Sequence, residues 1–312
     1  TSDDSEIDVL EGDSRNSSTR LYQQTSTGVG FLLRKYLQGQ RRSLQLQDVD
    51  NDSESVVVVS HIARPGSSSQ RNVPISSPTG GLGRNNSSTS KPWPLRCCVY
   101  SSEGRRAKLQ CENGSLIMYG LRESYDLGDR QTHDAHVMIQ MSVMDSIIPE
   151  DSPEIFLDIA IRGRIIGRVT IKLWRDLNRA KNFLALCTGI YGSSFRGSTF
   201  AGVSRKGKAG ECIGVDEYIS RDGYGTARGL IDNLEWNGIY SRIKTEGLIA
   251  GYISGQEQGS SFDIVTRGDP RRMLACPFGE VVSGLNFLQE AAGHEPLSEV
   301  TIKDLGVVIK NI

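Results

Sequence analysis

Two apolar runs around one turn commit the second half of this chain to β-structure. Ile155–Ile161 and Gly167–Trp174 alternate apolar with other residues on either side of Arg162-Gly163-Arg164. Alternation of this kind gives a strand one inward and one outward face, and a glycine between two such runs predicts a hairpin. Further strands are predicted at Phe262–Thr266, Gly279–Val282 and Val300–Ile309. Helical spacing occurs in Asn178–Cys187, where Ala180, Phe183, Leu184 and Cys187 fall on one side before Gly189, and in Leu285–Ala292 after Gly284. Short strands with two helices over 153–312 predict a mainly β domain, a barrel plugged by helices.

Upstream the pattern thins. Leu95–Tyr100, Ala107–Cys111, Ser115–Tyr119 and His136–Met144 read as strands, with Asn113-Gly114 as a turn. Four short strands make no secure domain of their own, so 93–152 is expected to be a small β-rich extension packing on the C-terminal domain. Residues 1–92 are expected to be a largely disordered tail and linker. Gly66–Ser90 is rich in Ser, Gly, Pro and Asn and has almost no large apolar side chain to offset the entropy of ordering. Val29–Leu46 could form a helix with Phe31, Leu32, Tyr36 and Leu37 on one face, but it is short and interrupted by Gly39.

Charge is balanced, 36 Lys and Arg against 37 Asp and Glu, so neither nucleic acid nor a membrane is expected as a partner. No apolar run nears the ~18 residues of a spanning helix, which predicts a soluble protein. The chain begins at Thr1 and is expected to be a piece of a longer one. Its six cysteines are Cys97, Cys98, Cys111, Cys187, Cys212 and Cys276. Cys97, Cys98, Cys111, His133 and His136 could surround a zinc, but adjacent cysteines chelate poorly, and small buried thiols are the favoured reading. No metal or organic cofactor is expected, and the cysteine pattern suits a reducing cytoplasmic or nuclear compartment.

Local strings from Ile155 onward resemble the cyclophilin-type peptidyl-prolyl cis-trans isomerases. The opening hairpin carries Ile155-Phe-Leu-Asp-Ile-Ala-Ile and Ile166-Gly-Arg-Val-Thr-Ile-Lys-Leu. Ala180-Lys-Asn-Phe-Leu-Ala-Leu-Cys-Thr-Gly189 matches the first helix, and Phe195-Arg-Gly-Ser-Thr-Phe200 matches the strand leading to the active site. Gly259-Ser-Ser-Phe262, Phe278-Gly-Glu-Val-Val282 and Ile302-Lys-Asp-Leu-Gly306 come next, in the family's order. The resemblance covers about half the chain and implies an eight-stranded antiparallel barrel capped by two helices. It makes Phe156, Phe183, Phe200, Phe262 and Phe278 core aromatics.

The resemblance also locates where the family's chemistry should be. Rotation about an amide faces a barrier of about 18–20 kcal/mol. The family lowers it with an arginine that hydrogen-bonds the prolyl nitrogen above an apolar proline pocket. Matching by string, Gly202 takes the arginine's place, Ile213 a groove glutamine's, and Tyr252 a groove asparagine's. Ser261 and Asp263 replace a glutamine and an aromatic pocket wall, Met273 replaces a tryptophan, and Leu274 is retained. Glycine has no side chain to donate, and a carboxylate is a poor wall for a proline ring. The expectation is a catalytically impaired or inactive isomerase serving as a protein-binding module. The alternative is an active isomerase assisting protein folding, with Arg205 from the lengthened basic loop Arg205, Lys206, Lys208 standing in as donor. His294 is read as a surface turn residue.

The tail adds one further expectation. Asp48-Val-Asp-Asn-Asp-Ser-Glu-Ser55 precedes Val56, Val57, Val58 and Val59, and acids also flank Ile7, Val9 and Leu10. Both resemble motifs that bind the small ubiquitin-like modifier SUMO by adding a strand to a sheet edge. Expected partners are therefore SUMO or X-Pro-containing segments. The competing reading makes Val56–Ile62 a strand packing on the C-terminal part.

Overall fold

The computed structural model describes residues 97–112, 115–123, 137–236, 239–251 and 258–310. The tail and its two acidic, apolar segments lie outside the described residues, as do His133, His136 and Tyr252. The extension forms β1 (Cys97–Tyr100), β2 (Arg106–Glu112), β3 (Ser115–Tyr119) and β4 (Val137–Gln140), then helix α1 (Met141–Ile147). The barrel begins with the expected hairpin, β5 (Glu154–Ile161) and β6 (Arg164–Leu173). Arg162 (φ 53) and Gly163 (φ 77) are both left-handed in its turn, the geometry that suits the strands' own twist.

Helix α2 (Asn178–Thr188) comes next, stopped by Gly189 in the left-handed region (φ 67), whose N–H donates to Ala185 O. Its start has no local cap. The Glu235 carboxylate supplies one from a distant loop, accepting Asn178 N and Arg179 N at 2.8 Å each, a favourable charge for a helix N-terminus. Then come β7 (Gly202–Ser204), β8 (Cys212–Val215), the hairpin β9 (Tyr218–Ile219) and β10 (Gly225–Thr226), β11 (Ser241–Lys244), β12 (Leu248–Gly251), β13 (Phe262–Val265), β14 (Asp269–Ala275) and β15 (Pro277–Ser283). Helix α3 (Leu285–Gly293) and β16 (Val300–Ile309) complete the chain.

Eight strands make the barrel, in the order β16-β5-β6-β15-β12-β13-β8-β7, each neighbouring pair antiparallel. Residues just before β7 close it against β16. Gly197 N donates to Ile302 O (2.8 Å), Ile302 N to Ser198 O (3.0 Å) and Phe200 N to Val300 O (3.0 Å). Inside, Phe183 from α2 stands 4.9 Å from Phe262, 5.2 Å from Phe195 and 5.5 Å from Phe278. Full burial of each such ring is worth about 1.5–3 kcal/mol.

The extension continues this sheet. Gly306–Ile309 of β16 pair with Tyr119–Leu116 of β3, giving the order β4-β1-β2-β3-β16, with β1 and β4 parallel. Gly306 permits the approach, since a Cβ there would lie 2.1 Å from Met118 O. Phe156, expected in the core, is fully buried in a separate cluster with Ile117 and Val308. Arg168 lies 4.0 Å over its ring, while donating to Asp158 (2.7 and 2.9 Å) and to Glu112 of β2 (2.7 Å). Arg105, itself buried, donates to Gly189 O (2.6 Å) and Ile190 O (2.7 Å) just past α2.

One predicted strand is corrected. His136–Met144 was expected to be extended throughout, but Met141–Ile147 is helical. Met141 and Met144 are the buried residues of the helix, with Ile148 just past its end continuing the helical spacing, and that period prevails over the shorter alternation. A chain starting at Pro153 would expose Phe156 and half an edge of β16. It is expected to unfold at a clearly lower temperature than the whole chain, or to aggregate. Equal thermal midpoints would mean that the extension contributes nothing to the barrel's stability.

Candidate functional site

Strand register sets which residues face outward at the predicted groove. Gly202 pairs with Gly214, Gly214 with Asp263, and Asp263 with Ala250 across β7, β8, β13 and β12. Ile213, Ile264 and Ile249 form the adjacent row and are fully buried in the main core. Successive strand residues point to opposite faces, so the glycine and aspartate row is the outer one. The structure thus brings Gly202 and Asp263 to one face and corrects the placing of Ile213, which points inward. Gly214 is the cross-strand neighbour of Gly202 instead.

The outer row has little side-chain cover at its β7 end. Among the described residues, no atom beyond the two chain neighbours lies within 4 Å of where a Cβ on Gly202 would sit. The Asp263 carboxylate leans over Gly214, where an added Cβ would meet Asp263 Oδ1 at 2.3 Å. Asp263 is only 9% exposed. Burial pushes its carboxyl up to about 7, with Lys244 opposing the shift and Asp216 adding to it.

Arg205 does not reach toward Gly202. Its backbone is left-handed (φ 54), and Nε donates to Ala209 O of its own loop at 2.7 Å. Arg205, Lys206 and Lys208 are all exposed, as expected of a solvated loop. Glu211 anchors that loop from within, accepting Gly207 N and the Thr266 hydroxyl (2.7 Å).

Of the other groove positions, Ser261 stays next to this row and the rest are dispersed. Ser261 is buried and donates to Asp216 O at 2.9 Å. Strands β11 and β14 form a two-stranded ribbon in which Arg242 pairs with Leu274 and Ile243 with Met273. Leu274 turns inward onto Cys212, Leu248, Ala250 and Val265, beside Trp174. Met273 turns outward and is 57% exposed. His294 is tied to the next turn, with Nε2 2.8 Å from Glu299 Oε2. Gly214 and Lys244 were missed from sequence. Only strand pairing reveals the first, and the second reaches the site from a strand with no alternation to announce it.

Chemically, this face offers a buried carboxyl whose ionised form Lys244 favours and Asp216 opposes. Gly202 provides no side-chain donor, and Asp263 makes the adjoining wall polar.

No protein-family model matches the chain. A peptidyl-prolyl cis-trans isomerase, cyp11, from Rhizopus delemar is 32% identical over 160 residues, 47% of this chain and 46% of that protein. The human E3 SUMO-protein ligase RanBP2 is 29% identical over 154 residues, 48% of this chain and 5% of RanBP2. A peptidyl-prolyl cis-trans isomerase from Encephalitozoon cuniculi is 24% identical over 176 residues, 52% of this chain and 98% of that protein. The aligned region therefore spans under half of the Rhizopus relative and a small fraction of RanBP2.

The Asp263 carboxyl gives a test of this geometry. In the folded chain it keeps its proton to about pH 7, whereas an unfolded aspartate releases it near ~4. The folded state binds the extra proton between those limits, so this group's contribution to stability falls as pH rises through the window. Asp263→Asn is expected to leave the thermal midpoint unchanged near about pH 4 and to raise it progressively toward about pH 8. A variant-minus-wild-type difference that stays flat across this range would place the carboxyl in water.

Proposed function

We propose that the barrel in the C-terminal half of this chain, which over about half the chain is similar to curated peptidyl-prolyl cis-trans isomerases, is a divergent cyclophilin-type domain serving as a protein-binding module with impaired isomerisation. The observation that carries the proposal is the open space above Gly202, with Arg205 bonded back to Ala209 O. Rotation of an X-Pro bond speeds up when a fixed donor stabilises the pyramidal nitrogen of the transition state more than the planar amide. Gly202 supplies no such donor. Asp263, buried in the adjoining wall, would have to be desolvated further by a proline ring and gains no hydrogen bond from it.

Exchange spectroscopy or a protease-coupled assay on the whole chain, beside its Gly202→Arg variant, tests this. Wild-type protein is expected to leave the uncatalysed rate unchanged. An arginine fits at position 202, where, among the described residues, nothing beyond the chain neighbours lies within 4 Å of the Cβ site. It is expected to restore at most a small acceleration while Asp263 remains. The isomerase names of two relatives favour a second reading, an active enzyme that assists protein folding. Clear wild-type turnover, blocked by cyclosporin, would establish it and overturn the first.

The tail fits a binding role. Val56–Val59, and Ile7, Val9 and Leu10, are flanked by acids and are proposed to add as strands to the sheet edge of SUMO. Titrating SUMO into the whole chain should give saturable binding that falls at least tenfold when Val56–Val59 are changed to alanine. Equal binding by both proteins would remove this segment from the proposal.

A further inference from the structure

The outward face of the β11–β14 ribbon is apolar at its centre and cationic at one end. Ile243 and Met273 pair directly and are 52% and 57% exposed, and Ile239, 64% exposed, stands two positions before β11. Along β14 the alternate residues are Asp269, which is buried, then Arg271, Met273 and Ala275, so the exposed part of the series runs from cationic to apolar. The basic loop widens the charged end. Gly210 N donates to Arg267 O, and the Cβ position of Gly210 lies 3.3 Å from Arg205 Nε and 3.4 Å from Asp269 Cβ. Arg205, Lys208, Arg267 and Arg271 are all exposed. The nearby carboxylates are Glu211, 3.3 Å from Arg267, Asp269, 3.4 Å from Arg272, and Glu246, 3.4 Å from Gly268 N; against these three stand the five cations Arg205, Lys208, Arg267, Arg271 and Arg272.

We propose that this face is the docking site of the chain's own segment 48–59. That segment carries the same order in complementary form. Asp48, Asp50, Asp52 and Glu54 alternate with other residues and lead directly into Val56 and Val58. In an extended strand all six share one side. Laid parallel to β14, the acids meet Arg267, Arg271 and the basic loop while the valines meet Met273 and Ile243. The rise per residue is the same on both strands, so the change from charge to apolar surface stays in step. Residues 60–96 connect the segment to Cys97, and a fully extended chain of that length spans roughly 120–130 Å. A domain of this size is only about 45 Å across, so the tether reaches any face.

Docking makes the segment's availability conditional. A SUMO-like partner that takes Val56–Val59 as a strand has to remove them from the ribbon, so the two occupancies exclude each other. The inference stands whether or not the barrel isomerises proline, since it uses no groove residue but Met273.

Methionine-methyl NMR on the whole chain tests the docking directly. Met118, Met138, Met141 and Met144 all belong to the extension, which leaves Met273 as an isolated reporter. Val56→Asp combined with Val58→Asp is expected to shift the Met273 methyl signal, and Arg271→Glu should shift it likewise. Salt at about 0.5 M should move the wild-type signal toward those of the variants, because the contact is partly ionic. The other four methyl signals should stay in place, reporting an intact fold. A Met273 signal unchanged by the tail substitutions overturns the proposal. So does one that moves only with protein concentration, which would assign the face to a second copy of the chain.

Discussion

The edge of β16 is the constraint on which the rest of the structure depends. A strand's N–H and C=O groups on both sides need partners, and an unpaired edge invites foreign strands. One side of β16 is taken along its length by β5. The other is divided: Val300–Ile302 close the barrel against the residues before β7, and Gly306–Ile309 receive β3. At the hand-over the pairing with β5 shifts register between Ile302 and Asp304. The Asp304 carboxylate accepts Arg122 of the extension at 2.6 Å and Arg196 of the barrel at 3.2 Å. One side chain thus joins the two neighbours that share the edge. The extension is part of the barrel's sheet because the closing segment leaves half an edge unpaired.

This arrangement explains how far the sequence could be read. The hairpin of β5 and β6, helices α2 and α3, and β16 were legible because each is long enough for its period to show, with a glycine marking the turn or stop. The strands β7, β8, β11 and β12 are three or four residues long and carry glycine or charge, so no window shows alternation. The attachment of the extension was expected only as packing. A shared edge is a property of two distant segments, and neither β3 nor β16 announces the other. The cap of α2 was hidden for the same reason, since Glu235 is 57 residues from the Asn178 N–H that it accepts.

The site was legible to the extent that family strings could be laid on it. Gly202 and Asp263 were singled out in this way, and strand pairing puts them in one row, which fixes their position and not their role. Ile213 was misplaced because the loop between β7 and β8 is lengthened, and loop length decides the register on its far side. A slip of one residue exchanges inward and outward faces, which is how an isoleucine of the core came to be read in the groove while its neighbour Gly214 was passed over.

That alternation also separates the residues of the barrel's frame from those of its outer face. Along each strand of the site, a framework residue stands next to one that faces outward: Phe262 beside Asp263, Ile213 beside Gly214, Leu274 beside Met273. Phe262, Ile213 and Leu274 are buried, and enlarging, shrinking or charging any of them would cost core packing. Their neighbours answer only to what the face must bind. Gly202 and Met273 are exposed and carry no share of the core, while Asp263 is buried on the outer side at the cost of a raised carboxyl pKa. The barrel's persistence therefore says nothing in favour of the family's chemistry. The outward residues present the Asp263 carboxyl over Gly214, and the β11–β14 ribbon presents Arg271 and Met273.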